Sequence, residues 1–412
     1  MDVAAQPGPI RTNHTVGTTH KSPDAIATHP HPHPRPLKRP STSTSTRTST
    51  RTHNTGGRKS SRRNGGRLAL GAIALSGAVG LAACSSSPSA SNPSNPASTT
   101  KVPLVLYAAE GYDSAMATAF TKATGIPVNL DDDSTGPLFT KIEAEKNNPK
   151  WDLFWVDGDQ AFASLDTQNY LLKGFTPNVS YNSLGTSLVP KDKSYVPTGV
   201  TMAAALVYNS NTVSSPPTSW NDLLSPQYKG AVGMNDPSVS GPTYPYVAGQ
   251  FQHLGGTTQG EAFFTALKAN GLQVFQTNTN TLQALETGQI KLATIQSSAG
   301  IGAGFKNPNI KVAFLNPETV LPSVLGIDAH TSSTVQAEAK QFVNYVLSPA
   351  GQKVMQSGDP TGDSLYWPLV NGVNPLSPLP PLSTIPTQIL NPYTWGPRES
   401  SINTWFTANI VQ

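Results

Sequence analysis

The sequence predicts an α/β protein with two lobes, each a β-sheet with helices packed against it. Short apolar runs alternate with helical patterns between residues 101 and 157, and the same alternation recurs between residues 231 and 295. Strands that are separated by single helices indicate βαβ units and parallel strand pairing. Apolar runs at Val200–Tyr208 and Val312–Leu315 join the two sets. Strands shared between the lobes would form a hinge there.

Each set is built from short buried strands and helices of about three turns. The strands of the first set are predicted at Val102–Tyr107, Ile126–Leu130 and Trp151–Val156, and its helices at Ser114–Thr124 and 137–147. The second set has strands at Ala231–Met234 and Lys291–Ile295 and helices at 242–254, 259–270 and 280–287. A strongly amphipathic helix is predicted at Gln336–Leu347.

Charge divides the chain into two unlike parts. Residues 1–83 carry 12 Lys/Arg and 2 Asp/Glu, whereas residues 84–412 carry 16 and 22, so the formal charge of +4 combines +10 with −6. The basic character therefore belongs to the leader. Arg398 is the single arginine after residue 83. This composition argues against binding to a nucleic-acid backbone.

The first hundred residues are typical of an exported, lipid-anchored protein. Residues 1–57 are rich in Thr, Ser, His and Pro and are predicted to be a disordered leader. Residues 58–83 resemble a signal peptide, with arginines followed by the uncharged run Leu68–Ala83. The run ends Leu-Ala-Ala-Cys, which resembles a bacterial lipobox with Cys84 as the lipidated residue. Residues 84–100 are a predicted flexible tether. Export by the general or the twin-arginine route stays open.

A series of motifs follows in a fixed order. They include Pro217-x-Ser-Trp220-x-Asp-Leu-Leu-x-Pro226-x-Tyr228-Lys-Gly230, Asp236-Pro-Ser-x-Ser240-Gly241, Ala284-x-Glu286-x-Gly288-x-Ile290, Ser348-Pro349-x-Gly351-Gln352 and Tyr366-Trp-Pro368. Together they resemble bacterial extracellular solute-binding proteins of ABC importers, of the group that binds iron(III), thiamine and 2-aminoethylphosphonate. The resemblance covers residues 101–412.

The resemblance implies a type II periplasmic-binding fold, with two mixed sheets flanked by helices and a hinge between the lobes. Lobe 1 would comprise 101–205 and a return segment 316–370, and lobe 2 would comprise 206–315. The aromatic-rich tail 371–412 is expected to pack on a lobe. The implied protein is a monomeric carrier on the outer face of the cell membrane, neither an enzyme nor a cofactor protein, that delivers a small solute to a permease.

Candidate binding residues lie where predicted strands end, because ligands of open α/β sheets bind at the carboxyl ends of strands. Serines and glycines at helix starts can hold an anionic group through free backbone N–H groups. Carboxylates past two strands can hold an amine, and an aromatic side chain can form a wall. The candidates are Glu110, Ser134, Thr135, Gly136, Asp157, Ser238, Ser240, Gly241, Tyr244, Ser297 and Ser298. The expected solute is therefore a small anionic or zwitterionic molecule of the phosphonate, phosphate or carboxylate type.

Three alternatives remain at this stage. The first is a ferric-iron-binding protein of the same fold, although Ser297 and Ser298 stand where iron-binding relatives carry adjacent tyrosines, and no metal site is predicted. The second is a ligand-sensing partner of a membrane receptor. The third, an anchored hydrolase, lacks the usual nucleophile and zinc motifs.

Overall fold

The computed structural model describes residues 101–412. The predicted leader, the signal peptide, Cys84 and the tether lie outside the described residues. Within 101–412, no helix is both long enough and apolar enough to cross a membrane.

Twelve strands and twelve α-helices are found in this part of the chain. The strands are β1 Leu104–Ala108, β2 Val128–Asp132, β3 Leu153–Asp157, β4 Tyr195–Met202, β5 Ala205–Asn209, β6 Val232–Asn235, β7 Gln273–Phe275, β8 Leu292–Ile295, β9 Ile310–Ala313, β10 Glu318–Ile327, β11 Trp367–Pro368 and β12 Thr387–Gln388. The helices are α1 Asp113–Thr124, α2 Thr135–Ala144, α3 Asp159–Thr167, α4 Ser183–Leu188, α5 Thr243–Leu254, α6 Thr257–Ala269, α7 Asn278–Glu286, α8 Ser297–Lys306, α9 Ser333–Val346, α10 Pro349–Gly358, α11 Pro392–Trp395 and α12 Glu399–Phe406.

The strands form two mixed sheets, one in each lobe. The lobe 1 sheet has the order β11-β4-β10-β3-β1-β2, and β12 adds to β10. In it β1 pairs in parallel with β2 and β3, whereas β10 runs antiparallel to β3 and β4. The lobe 2 sheet has the order β7-β6-β8-β5-β9, with β6 parallel to β7 and β8 and β5 antiparallel to β8 and β9. The predicted two-lobed α/β class is confirmed.

The chain crosses between the lobes beside the predicted hinge runs. It leaves lobe 1 after β4 and enters lobe 2 at β5, with only Ala203 and Ala204 between them. It returns between β9 and β10. The short connections tie β4 and β10 of the lobe 1 sheet to β5 and β9 of the lobe 2 sheet. They lie at the same sheet edges as the ends of β3 and β8, so they border the cleft between the strand-end loops.

Separate hydrophobic cores hold the lobes. In lobe 1, Leu106, Trp155 and Phe342 lie in one buried cluster between the sheet and its helices. In lobe 2, Val247 and Phe264 are completely buried in another. Each lobe thus has a core of its own, and Leu321 of β10 extends the lobe 2 cluster beside the crossing.

The C-terminal tail completes the lobe 2 core and also reaches lobe 1. Trp395, Ile402 and Phe406 are buried within the lobe 2 cluster. The Tyr393 hydroxyl donates a 2.7 Å hydrogen bond to Asp166 at the end of α3 in lobe 1. The predicted packing of the tail therefore corresponds in the structure to contacts with both lobes.

Phe406 offers a test of how firmly the tail is anchored. Its ring is fully buried and lies 5.4 Å from the Phe264 ring. Phe406→Ala is expected to lower the free energy of unfolding by about 3–5 kcal/mol, because it leaves a cavity in the lobe 2 core. Urea denaturation followed by tryptophan fluorescence measures this. Val411→Ala, at a side chain 36% exposed, is the control and should cost less than about 0.5 kcal/mol. Equal midpoints for both variants would contradict the packing described.

Candidate functional site

Three carboxylates meet between the lobes. Glu110 lies two residues after β1, and Asp157 is the last residue of the neighbouring strand β3. Because parallel strands end at the same edge of a sheet, these two side chains lie close together. Asp363 joins them from the loop between α10 and β11. Glu110 and Asp157 are 3% and 6% exposed, respectively, and Asp363 is partly buried.

Glu110 is held by a buried hydrogen-bond chain within lobe 1. The Ser323 hydroxyl donates to Glu110 Oε1 at 2.6 Å, and the Trp155 indole N–H donates to Ser323 Oγ at 3.1 Å. Ser323 lies at an irregularity in the pairing of β10 with β4. A bulge of this kind redirects a side chain without ending the strand, and here it aims the Ser323 hydroxyl at the first carboxylate.

The other two carboxylates are contacted from lobe 2. The Gln296 side-chain amide donates to Asp157 Oδ2 at 2.7 Å, and the Ser298 hydroxyl donates to Asp363 Oδ1 at 3.3 Å. On the lobe 1 side, the Gly111 backbone N–H donates to Asp363 Oδ2 at 2.9 Å. Two direct hydrogen bonds to carboxylates therefore join the lobes at the centre of the cleft.

Burial and mutual repulsion favour the neutral form of each acid. Burial, together with the nearby Asp157 and Asp363, raises the pKa of Glu110 well above its usual range. Burial and Asp363 do the same to the pKa of Asp157. The pKa of Asp363 is also raised by burial, although the Gly111 N–H opposes that shift. Within residues 101–412, no Lys, Arg or His forms an ion pair with any of the three.

A small cavity of about 10 Å³ separates these groups. Its lining adds two aromatic side chains, Tyr112 and Tyr366, whose ring centres are 6.3 Å apart. Asp157 belongs to this lining, and its Oδ1 accepts no hydrogen bond from any residue in the described part of the chain, whereas its Oδ2 accepts from Gln296. The volume holds about one water molecule, so a solute enters only when the lobes move apart.

An acidic groove of about 400 Å³ lies on one side of this cavity, and Glu110 lines both. Asp113, Asp132 and Asp133 line the groove, and no basic side chain does. Burial, with Asp132 nearby, raises the pKa of Asp113 to about 7. Clefts lined by charges of one sign concentrate ligands of the opposite sign, so this approach favours a positively charged solute.

The predicted serine and glycine sites at the starts of α2 and α5 lie against each other across the cleft. The Gly136 N–H donates to the Val239 carbonyl of lobe 2 at 3.2 Å. A Cβ atom on Gly241 would lie 2.3 Å from Thr135 Oγ1. These residues form a contact between lobes, and their role in anion binding stays a prediction.

Among the remaining serine candidates, Ser238, Ser240 and Ser297 have hydrogen-bond partners of their own, whereas the Ser134 hydroxyl has none within residues 101–412. Ser134 precedes α2 but its side chain forms no capping hydrogen bond. The Ser238 hydroxyl donates to Asp236 at 2.6 Å, and Ser240 Oγ accepts from Asn235 at 3.1 Å. Ser297 Oγ accepts from the Met202 backbone N–H at 3.0 Å, which fixes α8 to the crossing strand.

Tyr244 lies away from the cavity. Its side chain is buried in the lobe 2 core, and its hydroxyl donates to the Trp395 carbonyl of the tail. The aromatic side chains that line the cavity are those of Tyr112 and Tyr366. The sequence places Tyr112 in the first strand-end loop and Tyr366 in the Tyr-Trp-Pro motif, but neither position reveals which way the ring faces.

Sequence reasoning also missed Asp363, Gln296 and Ser323 as parts of the site. Gln296 ends β8, so the strand-end rule locates its loop without selecting the side chain. Asp363 follows a helix rather than a strand and carries no motif. Within residues 101–412, no set of three or more His, Cys, Asp or Glu side chains is arranged to hold a metal ion.

Two lobes with separate cores, two short crossings and a polar cleft between strand ends define a binding protein that closes around a solute. A family model described as "Bacterial extracellular solute-binding protein" matches residues 105–358. The chain belongs to this family, whose members bind small solutes and serve ABC importers.

Relatives within the family are named for different solutes. A putative 2-aminoethylphosphonate-binding periplasmic protein of Salmonella paratyphi A is 24% identical over 241 residues, covering 57% of this chain and 68% of the relative. An Fe(3+)-binding periplasmic protein of Serratia marcescens is 24% identical over 272 residues, covering 62% and 77%. Their names therefore leave the solute of this chain open.

Solved structures share the fold. Iron-bound HitA from Pseudomonas aeruginosa superposes with a TM-score of 0.63 at 22% identity, covering 74% of this chain and 98% of that one. The periplasmic binding protein AfuA from Actinobacillus pleuropneumoniae, with fructose-6-phosphate bound, gives 0.66 at 20% identity, covering 76% and 99%. The predicted family and its type of fold are confirmed.

Gly302 on α8 provides a test of closure. A Cβ atom there would lie 1.7 Å from the Thr361 carbonyl oxygen of lobe 1, so Gly302→Ala is expected to hold the lobes apart while leaving each core intact. Spin labels on cysteines introduced at Thr140 of lobe 1 and Thr404 of the tail can report this. These exposed residues line one groove of about 910 Å³, which is bordered by lobe 1, the lobe 2 loop 237–241 and the tail. Double electron–electron resonance measures the distance between the two labels. The Cys84→Ser background removes the one native cysteine.

The expected result is a longer mean distance for Gly302→Ala than for the unmodified lobes. Gly304→Ala is the matched control on the same helix, because its nearest neighbour is the Ile310 carbonyl at 3.2 Å within lobe 2. If Gly302→Ala and Gly304→Ala gave the same distance distribution, the contact between α8 and Thr361 would not limit closure.

Proposed function

We propose that this chain captures a small solute carrying a positively charged group between its lobes and delivers it to an ABC permease. The observation that carries the proposal is the cluster of Glu110, Asp157 and Asp363, which lines one cavity with no basic side chain among the lining residues. An unpaired buried carboxylate is costly, and three close together repel one another. A cation on the solute removes both costs at once.

The aromatic lining favours an organic cation. Tyr112 lies 5.3 Å from the Trp155 ring and near Tyr366, so two phenol rings with fixed positions border the carboxylates. Ammonium groups are attracted to the faces of aromatic rings as well as to carboxylates. A primary or quaternary ammonium therefore suits this lining.

An anionic group on the same molecule is compatible with the neighbouring helix starts. When the lobes separate, the Gly136 N–H loses the Val239 carbonyl and becomes free at the start of the ten-residue helix α2. Helix starts attract anions through such N–H groups. The proposed solute is thus a zwitterion or a simple cation, with its positive charge at the carboxylates. If the solute is a zwitterion, its anionic group lies near Thr135 and Gly136.

Transport follows from differential affinity. A solute that contacts both lobes stabilises the closed form by the difference between its affinities for the two forms. No bond is made or broken in this proposal, and the permease recognises the closed form. The chain acts as a monomer in this scheme, since the cleft is formed by residues of one chain.

A panel of three small molecules separates the charges. The probes are 2-aminoethylphosphonate, ethylphosphonate, which lacks the ammonium, and ethanolamine, which lacks the phosphonate. We expect 2-aminoethylphosphonate to bind at least about tenfold more tightly than ethylphosphonate, because each lost charged hydrogen bond costs roughly 1.5–3 kcal/mol. Isothermal titration calorimetry measures both affinities. Asp157→Asn should remove most of the difference, and Glu286→Gln, an exposed change on α7, should leave it.

Two results would count against the proposed solute class. One is tighter binding of ethylphosphonate than of both amines. The other is binding of ferric ion by the same preparation. If Glu110→Gln and Asp157→Asn still bound the ion, the metal site would lie away from these carboxylates.

The proposal includes a lipid anchor on Cys84. Its support is the sequence alone: an arginine-rich start, the apolar run Leu68–Ala83 and the Leu-Ala-Ala-Cys ending. Two or more acyl chains give stable anchoring where one does not. The anchored protein would lie on the outer face of the cell membrane and reach the permease through residues 84–100.

Cys84→Ser tests the anchor. The unmodified chain is expected in the membrane fraction and Cys84→Ser in the soluble extracytoplasmic fraction, as measured by immunoblotting of fractionated cells of a bacterium that processes lipoproteins. Ser85→Ala, which keeps the cysteine, is the control. Membrane retention of Cys84→Ser, with an uncleaved leader excluded by intact mass, would contradict lipid attachment at this residue.

A further inference from the structure

We propose that Asp363 is a specificity-determining residue that makes closure of the cleft depend on a positive charge between the lobes. This inference rests on the proposed function and deepens it, because it assigns the requirement for charge to one residue. Asp363 is the carboxylate of the cavity that neither strand-end loop supplies.

Asp363 is fixed on lobe 1 and reached from lobe 2. The Gly111 N–H holds its Oδ2 at 2.9 Å, and the Asp359 side chain accepts a 2.8 Å hydrogen bond from the Asp363 backbone N–H. A Cβ atom on Gly362 would lie 2.0 Å from Asp359 Oδ2, so the loop is closely packed. The Ser298 hydroxyl at the start of α8 then approaches Oδ1 at 3.3 Å.

The remaining groups around Asp363 are acidic or neutral. The carboxylates of Glu110, Asp157, Asp359 and Asp113 interact electrostatically with it, as does the Tyr112 phenol. Gln296, Thr201 and Ser323 supply neutral hydrogen-bonding groups. No lining residue carries a positive charge that could neutralise a negative charge on Asp363. Moving the lobes together therefore concentrates three negative charges unless something neutralises them.

Two agents can do so, a proton or a cationic group of the solute. Burial raises the pKa values of Glu110, Asp157 and Asp363. A carboxyl group with a raised pKa in the closed form stabilises that form at low pH, and the stabilisation is lost as the pH rises through the raised value. A bound cationic group takes the place of the proton, so closure at a pH above the raised pKa values selects cationic solutes. Asp157 Oδ1, which accepts no hydrogen bond from a described residue, is available to such a group.

The charge of Asp363 can be removed with little change of shape. In Asp363→Asn the amide oxygen still accepts from Gly111, and the amide N–H can donate to Ser298 Oγ. We expect this variant, measured without added solute, to keep a short distance between labels at Thr140 and Thr404 at pH 8. The protein with the native Asp363 should shift to longer distances as the pH rises through the raised pKa values. Glu286→Gln, which removes one exposed negative charge, should behave like the Asp363 form.

A second variant separates charge from contact. Ser298→Ala removes the lobe 2 donor but keeps the carboxylate, so the label distance should lengthen at every pH while its pH dependence is retained. The proposal is overturned if Asp363→Asn and the Asp363 form show the same pH dependence. It is also overturned if neither of them changes with pH.

A binding measurement by isothermal titration calorimetry uses 2-aminoethylphosphonate and ethylphosphonate. Asp363→Asn is expected to reduce the preference for 2-aminoethylphosphonate over ethylphosphonate by at least about tenfold, whereas Glu286→Gln leaves it unchanged. A preference that is unchanged in Asp363→Asn overturns the role of this residue in selectivity. If neither phosphonate binds, the label measurement alone decides the inference, and the failure belongs to the proposed solute class.

Discussion

The burial of three carboxylates between two separately folded lobes is the constraint on which the rest of the site depends. Two of the hydrogen bonds between the lobes end on these acids, from Gln296 to Asp157 and from Ser298 to Asp363. The lobes therefore meet where buried carboxylates repel one another. Interactions that favour closure and repulsion that opposes it lie in one small volume. A balance of this kind can be shifted by a ligand of modest size.

Much of this arrangement follows from strand order. β1 and β3 pair in parallel, so Glu110 and Asp157 end at one edge of the sheet, and the strand-end rule located both from sequence. The same rule found the loops of lobe 2. The rule could not rank the side chains within these loops. Ser297 accepts a hydrogen bond from Met202 at the end of β4, whereas Gln296 and Ser298 donate to the acids. Those differences depend on one-residue rotations about a helix start, which periodicity does not specify.

Other features were beyond sequence reasoning for physical reasons. Asp363 enters the site through a tertiary contact with Gly111, about 250 residues earlier in the chain. Tyr244 was expected at the cleft, but every residue in the first turns of α5 is buried, so no polar face indicates its direction. The expectation of an anionic solute came from counting helix starts. The structure adds the electrostatic setting of the cleft, which is acidic and contains no basic lining residue.

Selection of a positive charge by the cleft can be tested by native mass spectrometry of the chain purified from its own host without refolding. We expect a bound organic molecule with a basic or quaternary nitrogen, which is lost when Glu110, Asp157 and Asp363 are replaced together by their amides. A bound anion without a nitrogen cation, retained in that triple variant, would contradict it. So would a mass matching ferric ion that survives the same replacement.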